Sequence, residues 1–359
     1  METERAPAGS ILADSLDGFT APGELYRPLG QGKMQCFACG HRCTIFPGRR
    51  GICKVRFNAD GILRVPWGYV GALQCDPTEK KPFFHVLPGS TTLTFGMLGC
   101  DFHCPYCQNW LTSQALRDPA STTAILEFAP RDLARVAHRA GAALVGSSYN
   151  EPLITSEWAV GVFREARAAG LRTCYISNGN ATAEVLDYLR PWTDCYKVDL
   201  KAMNAAHYRA LGGQLQHVLE TIQMVHQRGF WLEVVTLVVP GWNDSDDELQ
   251  AAAGLVASAS TLVPWHVTAF HKDYRMRDPD NTGPEILLRA VAIGEAAGLK
   301  YVYAGNLPGL VGKYEHTRCH QCGTTLVERR GYAILRNRLS ATGGTCCECG
   351  TSIPGIWRQ

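Results

Sequence analysis

Little in this chain is out of balance. Its 359 residues set 35 Lys and Arg against 33 Asp and Glu, a formal net charge of +2, so no basic surplus points to nucleic acid or an anionic membrane as the main partner. Charged residues are scarce at 19%, against about 25% in an average globular protein, while hydrophobic residues reach 46%. A sizeable core can therefore be buried. No uninterrupted apolar run is long enough to span a bilayer. The opening Met1-Glu2-Thr3-Glu4-Arg5-Ala6 lacks the apolar stretch of a secretory signal, so a cytoplasmic protein is expected. Long internal repeats and low-complexity tracts are absent as well.

What the chain does have is cysteine. The count is 15, an odd number, and most fall into three close clusters. That is not the dispersed spacing of a disulfide framework, and it fits a reducing compartment with metal-bound thiolates. The central cluster is Cys100, Cys104 and Cys107, a C-x3-C-x2-C triplet directly after an apolar, strand-like run. Three thiolates can hold three irons of a cubane and leave the fourth open to a small chelating molecule. A zinc knuckle or buried free thiols would be the plainer explanation, but the strand context and the missing fourth cysteine disfavour it.

Cys36, Cys39, Cys43 and Cys53 carry the mirror spacing plus a fourth ligand. They read as a closed site, either structural zinc, the commoner occupant of all-cysteine sites, or an auxiliary iron–sulfur cluster. Cys319, Cys322, Cys346 and Cys349 form paired C-x2-C knuckles with the spacing of a zinc ribbon. Cys75, Cys174 and Cys195 read as core residues, and Cys347, His316 and His320 as bystanders.

Four units are expected: an irregular lead-in over 1–35, a four-cysteine metal module over 36–90, a catalytic barrel over 91–312 and a ribbon over 313–359. Within the third, strand-like runs at 92–97, 143–147, 172–176, 195–200, 231–238 and 265–270, with a possible seventh at 301–304, alternate with helical patterns. The helices are expected at 130–139, 156–168, 216–228, 245–257 and 284–297. Such βα units make an open or partial barrel whose chemistry sits at the C-terminal strand ends. The four arginines Arg329, Arg330, Arg336 and Arg338 read as a solvated face of the ribbon.

The triplet, the strand series and the flanking modules together resemble the radical S-adenosylmethionine (SAM) superfamily, on the branch of pyruvate formate-lyase activating enzyme. The Cys36 to Cys53 run, Asp76-Pro77-Thr78-Glu79-Lys80-Lys81-Pro82 with His85, Tyr149-Asn150-Glu151-Pro152 and the terminal Ile353-Pro354-Gly355-Ile356-Trp357 are similar to the AmmeMemoRadiSam system radical enzyme. The resemblance implies an α/β fold: a partial (βα)6-type radical SAM barrel with an N-terminal four-cysteine module and a C-terminal zinc-ribbon-like module. It implies a [4Fe-4S] cluster on Cys100, Cys104 and Cys107, with Tyr106 beside the adenine, and zinc in the ribbon.

Glu151 stands where related enzymes carry Gly-Gly-Glu to grip the methionyl amine, with Tyr149 and Asn150 replacing the glycines. Ser177 and Asn178 resemble a cofactor-approaching Thr-Asn-Gly run, and Asp199 and Lys201 an Asp-x-Lys pair for the carboxylate. Taken singly these can also be a helix start, a turn and a surface ion pair. His266 is expected on the cofactor, and His271, Asp273, Tyr274 and Arg275 on the substrate. The implied reaction is reductive cleavage of SAM to a 5′-deoxyadenosyl radical that takes hydrogen from a small molecule or a protein side chain. The alternatives are a glycyl-radical activase and a non-enzymatic, zinc-organised binding module. Implied partners are SAM, an electron donor such as flavodoxin or ferredoxin, and Memo-like and Amme-like proteins.

Overall fold

Apolar runs that are buried along nearly their whole length suit strands covered on both faces. In the computed structural model, which describes residues 8–121 and 123–359, seven such runs form a parallel sheet in sequential order. They are β2 (Thr91–Gly96), β3 (Leu144–Ser147), β4 (Arg172–Ser177), β5 (Cys195–Asp199), β6 (Trp231–Val238), β7 (Trp265–Ala269) and β8 (Val302–Gly305). An antiparallel strand, β1 (Ala72–Pro77), pairs with β2 at one edge. The possible seventh parallel strand is thus present, and β1 is an addition that its polar, turn-rich sequence concealed. Cys75 lies on β1 and is exposed, not a core residue, whereas Cys174 and Cys195 face each other in register within the sheet interior.

Helices return the chain over the outer face: Pro130–Arg139, Ser156–Ala168, Ala183–Leu189, Leu215–Gln227, Asp246–Ala259 and Pro284–Ala296. Each buries an apolar stripe, such as Leu133, Ala134 and Ala137 in the first. The five expected helices lie within two residues of their observed ends, while the short Ala183–Leu189 helix went unread because it lacks room for a full period. Among the described residues no helix is long and apolar enough to cross a membrane.

The edge strands β1 and β8 do not pair with each other, so the barrel is open. Two segments far apart in sequence, residues 83–87 and the C-terminal residues, come together against the sheet. Residues 83–87 run beside the C-terminus, where Leu87 N donates to Ile356 O at 2.7 Å and Ile356 N to His85 O at 2.8 Å. His85 is fully buried and bonds Pro354 O and the Tyr303 hydroxyl at 2.7 and 2.6 Å. Arg329 is buried too, lying over the Phe84 ring and donating to Phe84 O at 2.7 Å and to the Thr317 hydroxyl at 2.8 Å. It therefore does not belong to the solvated arginine face, because the ribbon hairpin (Thr325–Arg330 and Ala333–Asn337) lays it against the barrel.

The lead-in over 1–35 is not irregular where it is described. It contains a helix, Ala8–Leu16, and strands Thr20–Pro22, Tyr26–Gly30 and Lys33–Cys36. Tyr26–Gly30 and Lys33–Cys36 form a hairpin that Thr44–Ile45 extends, and Thr20–Pro22 pairs with Ile62–Pro66; strands this short leave little periodic mark in the sequence. A buried ion pair holds this region to the barrel. The Arg56 guanidinium donates to both Glu157 oxygens at 2.7 Å, and Oε1 also accepts from Glu24 N and Leu25 N at 3.1 and 3.3 Å. Burial opposes ionisation of Glu157, but Arg56 outweighs it and the carboxyl lies below its ordinary range.

Removing one partner of such a pair strands a buried charge, so Glu157→Ala should cost about 3–5 kcal/mol in chemical denaturation. A lowered folded-state pKa means that the contribution is complete above the unfolded carboxyl value of about 4.3 and fades below it. The wild-type advantage over Glu157→Ala should therefore shrink as pH falls from 5 to 3.

Candidate active site at the barrel mouth

The end of β2 turns sharply into the cysteine loop. Gly99 has φ +96, and a Cβ there would sit 3.3 Å from Cys53 O, so glycine suits both its conformation and its contact. The loop is then fastened from below. Arg117 donates to Cys100 O at 2.6 Å and Phe102 O at 3.1 Å, Gln114 to Phe102 O at 3.2 Å, and Gly99 N to Thr112 O at 3.0 Å. Cys104 is buried, while Cys100 and Cys107 are half-buried. Burial pushes all three thiols up, Cys104 to about 12, with the Lys201 ammonium the main opposing influence on Cys104. Bound metal is what turns thiols of this kind into thiolates.

The three cysteines open into a cavity of about 380 Å3. All the residues expected at the cofactor line it: Cys100, Cys104, Cys107, Tyr106, Glu151, Ser177, Asn178, Asp199, Lys201 and His266. All but His266, the second residue of β7, arrive from the C-terminal ends of β2 to β5 or the loops that follow them, as the βα topology requires. Glu151 is buried, with Oε1 accepting from the Ser177 hydroxyl at 2.7 Å and from Leu153 N at 3.1 Å, and Oε2 from Asn178 N at 2.7 Å. Burial and then the charge of Asp101 push its pKa up to about 8. Asp101 in turn accepts from Asn178 Nδ2 and Asn180 Nδ2 at 2.7 and 2.8 Å.

Asp199 lies between two lysines, Lys197 and Lys201, with the Lys201 ammonium at 3.4 Å. Burial works against all three charges, yet the two ammonium groups hold Asp199 below its ordinary range. Lys201 stays charged because Asp199 and then Cys104 outweigh the same burial. The resulting surplus of one positive charge beside Cys104 suits a carboxylate, and Glu151 across the cavity suits an amine. This donor set and volume fit a cluster with three protein ligands and an amino-acid-bearing cofactor. His266 occupies the same wall, but its Nε2 is bound to Glu233 at 2.6 Å and its ring stacks on Tyr303.

Sequence reasoning missed part of the lining. Lys81 and Tyr149 line the cavity and bond each other at 2.8 Å, with Asp76 accepting from Lys81 at 2.9 Å. The doubled lysine in an otherwise turn-like segment was the available signal. Tyr332 reaches the cavity from the ribbon, which no local pattern could have shown.

The expected substrate loop needs correction. His271, Asp273, Tyr274 and Arg275 do not line the cavity. They clamp the cysteine loop from outside: Arg275 N and Met276 N donate to Pro105 O at 2.9 and 3.0 Å, and Tyr274 stacks on Trp110 and bonds Asp118 at 2.6 Å. Arg275 pairs with Asp118 at 2.9 Å, Asp273 accepts from Tyr274 N, and His271 meets Gln108 at 2.9 Å. Charged and aromatic residues in a strand-end loop look alike whether they bind a ligand or a neighbouring loop. If the clamp holds the cluster, Tyr274→Ala should speed iron loss to a chelator about 10-fold, the usual scale for outer supports of a metal site. An unchanged rate would show that the clamp is passive.

The outlying cysteine sets differ in geometry. In the ribbon, Cys319 and Cys349 sulfurs are 3.6 Å apart and those of Cys322 and Cys346 3.7 Å, with all four within 4.8 Å of one another. A tetrahedral zinc with Zn–S of about 2.3 Å spaces its sulfurs at about 3.8 Å. These four residues can hold a metal ion. Cys36, Cys39 and Cys53 are buried and Cys43 is half-buried around the N-terminal turns.

Residues 95–252 match the family model described as Radical SAM superfamily. The chain is 34% identical over 330 residues to an uncharacterised protein of Methanocaldococcus jannaschii, covering 91% of this chain and 97% of that one. It is 28% identical over 236 residues to the pyruvate formate-lyase 1-activating enzyme of Escherichia coli, covering 60% and 93%. Among solved structures, Streptococcus suis SuiB bound to S-adenosylmethionine aligns over 67% of this chain and 56% of that one, with a TM-score of 0.48 and 11% identity. With its strand-end cavity, its cysteine triplet and these relatives, the chain belongs to the radical SAM superfamily and is an enzyme of that class.

Proposed function

We propose that the cavity at the barrel mouth binds S-adenosylmethionine on a [4Fe-4S] cluster held by Cys100, Cys104 and Cys107, and abstracts hydrogen from a substrate seated against the Lys81–Tyr149 wall. The observation that carries this reading is the convergence of ten residues on one cavity, nine of them from strand C-terminal ends or the loops that follow. When bound, cluster and cofactor supply reductive cleavage to methionine and a 5′-deoxyadenosyl radical. The chain's own residues do the rest. Lys201 orients the methionyl carboxylate, Glu151 takes the amine, and Tyr106 and the Ser177-Asn178 turn border the nucleoside. Buried walls keep water from the reacting atoms. His266, fixed by Glu233, borders the substrate end. The electron comes from a donor of the flavodoxin or ferredoxin class.

A second reading, an activase that makes a glycyl radical on a partner protein, is favoured by the similarity to the Escherichia coli activating enzyme. Electron paramagnetic resonance separates the two, because an activase leaves a persistent radical on its partner. Memo-like and Amme-like partners follow from the family resemblance. All fifteen cysteines are free, which favours zinc in the ribbon and a reducing, cytoplasmic setting.

Anaerobically reconstituted protein should release 5′-deoxyadenosine under a strong reductant, and Cys104→Ala should release none. Turnover persisting in that variant would sink the assignment. Lys201→Ala should weaken S-adenosylmethionine binding about 10- to 100-fold, the equivalent of one charged hydrogen bond of about 1.5–3 kcal/mol. Binding left unchanged would remove Lys201 from the cofactor.

A further inference from the structure

We propose that Lys80 and Lys81, sharing the single carboxylate of Asp76, are the anchor for the substrate, and that the substrate is a small molecule bearing a carboxylate or phosphate on a partly apolar body. The inference rests on S-adenosylmethionine occupying the Lys201 and Glu151 part of the same cavity. Charge points there first. Glu79, which lines the cavity, faces Arg329 at 3.6 Å. Asp199 offsets one of its two lysines, which leaves the other for the methionyl carboxylate, while Glu151 takes the amine. What is left over has the same composition as the Asp199 group. Asp76 Oδ1 accepts from Lys80 at 3.0 Å and Oδ2 from Lys81 at 2.9 Å, and among the described residues neither lysine has a further ion-pair partner. Both lysines line the cavity. One positive charge is therefore in excess at that wall.

The hydrogen bonds of Lys81 point the same way. Its side chain is only 5% exposed, and an ammonium has three donors. Asp76 takes one and the Tyr149 hydroxyl another, at 2.8 Å, and among the described residues the third has no acceptor. A buried ammonium with an unused donor is costly, and an anion in the cavity removes that cost. Burial draws the Lys81 pKa below its ordinary value against the pull of Asp76, and a bound anion would favour the charged form further.

The surroundings set the size and character of the ligand. Phe84, Ile176, Val235 and Leu237 line the same cavity, so an apolar body fits beside the anionic group. Tyr149 and Asn306, also in the lining, both hold left-handed backbone at φ +66 without being glycine. Strain of that kind persists where the surroundings fix a site. A glycine on a partner protein carries no side-chain charge and would leave the two lysines unused. A small anion uses both.

The test is calorimetric titration of the reconstituted full chain, saturated with S-adenosylmethionine so that Lys201 is occupied. Benzoate and phenyl phosphate are the anionic probes and benzamide the neutral one. At least one anion should bind about 10-fold more tightly than benzamide, the scale of one charged hydrogen bond, and the better of the two separates carboxylate from phosphate. Lys81→Gln and Lys80→Gln should each cut that preference to about 3-fold or less, with benzamide binding unchanged. Equal binding of anions and amide by wild type overturns the anchor and favours a protein substrate. A preference that survives both lysine variants overturns it too. Should Lys81→Gln be insoluble, the half-exposed Lys80→Gln and the wild-type preference decide. S-adenosylmethionine titrated in parallel reports on the cofactor site by itself: a wild type that does not bind it fails the cofactor reading, and the dependence of anion binding on Lys80 and Lys81 is then read in its absence.

Discussion

A parallel sheet that stops before closing leaves a slot between its edge strands, and exposed edges and an open interior are both costly. Here the slot lies between Ala72–Pro77 and Val302–Gly305, and its filling organises much of the molecule. Residues 83–87 and the C-terminus pack together against the sheet, with His85 among Trp231, Tyr301, Tyr303 and Trp357. Glu233 receives backbone donors from Phe84 and His85 at 3.0 and 2.9 Å as well as the His266 ring. The ribbon thus serves as the barrel's missing wall. Lys81, Pro82 and Phe84 from the segment after β1, and Tyr332 from the ribbon, complete the cavity lining beside the strand ends.

Charge inside that enclosure alternates. Glu151 is buried near Asp101, whose charge disfavours its ionisation, and the amide and hydroxyl donors to Glu151 offset only part of this. Asp199 instead lies between two ammonium groups. The two strand ends therefore present opposite preferences across one cavity, as a zwitterionic amino-acid group requires.

The barrel was largely legible because its strands are continuously apolar and its helices periodic; Trp231–Val238 and Pro130–Arg139 match the expected limits residue for residue. The cavity residues from Cys100 to Lys201 were legible because βα topology sends the C-terminal ends of its strands to the same place. What escaped depended on distant partners. Thr20–Pro22 is a strand because of Ile62–Pro66, Arg329 is buried because of Phe84, and the 271–275 loop is a clamp because of Pro105 and Asp118. Residue type at those positions suggested solvent or substrate, and only the packing distinguishes these from structure.

Tyr149 joins the two ends of the cavity through one residue. Its backbone has φ +66, and its carbonyl accepts from Thr112 at 2.6 Å beneath the cysteine loop, while its hydroxyl meets Lys81 at the far wall. A glycine could adopt that backbone without strain but could not reach the lysine. One residue thus ties the loop that follows the cysteines to the wall formed by Lys81 and Asp76.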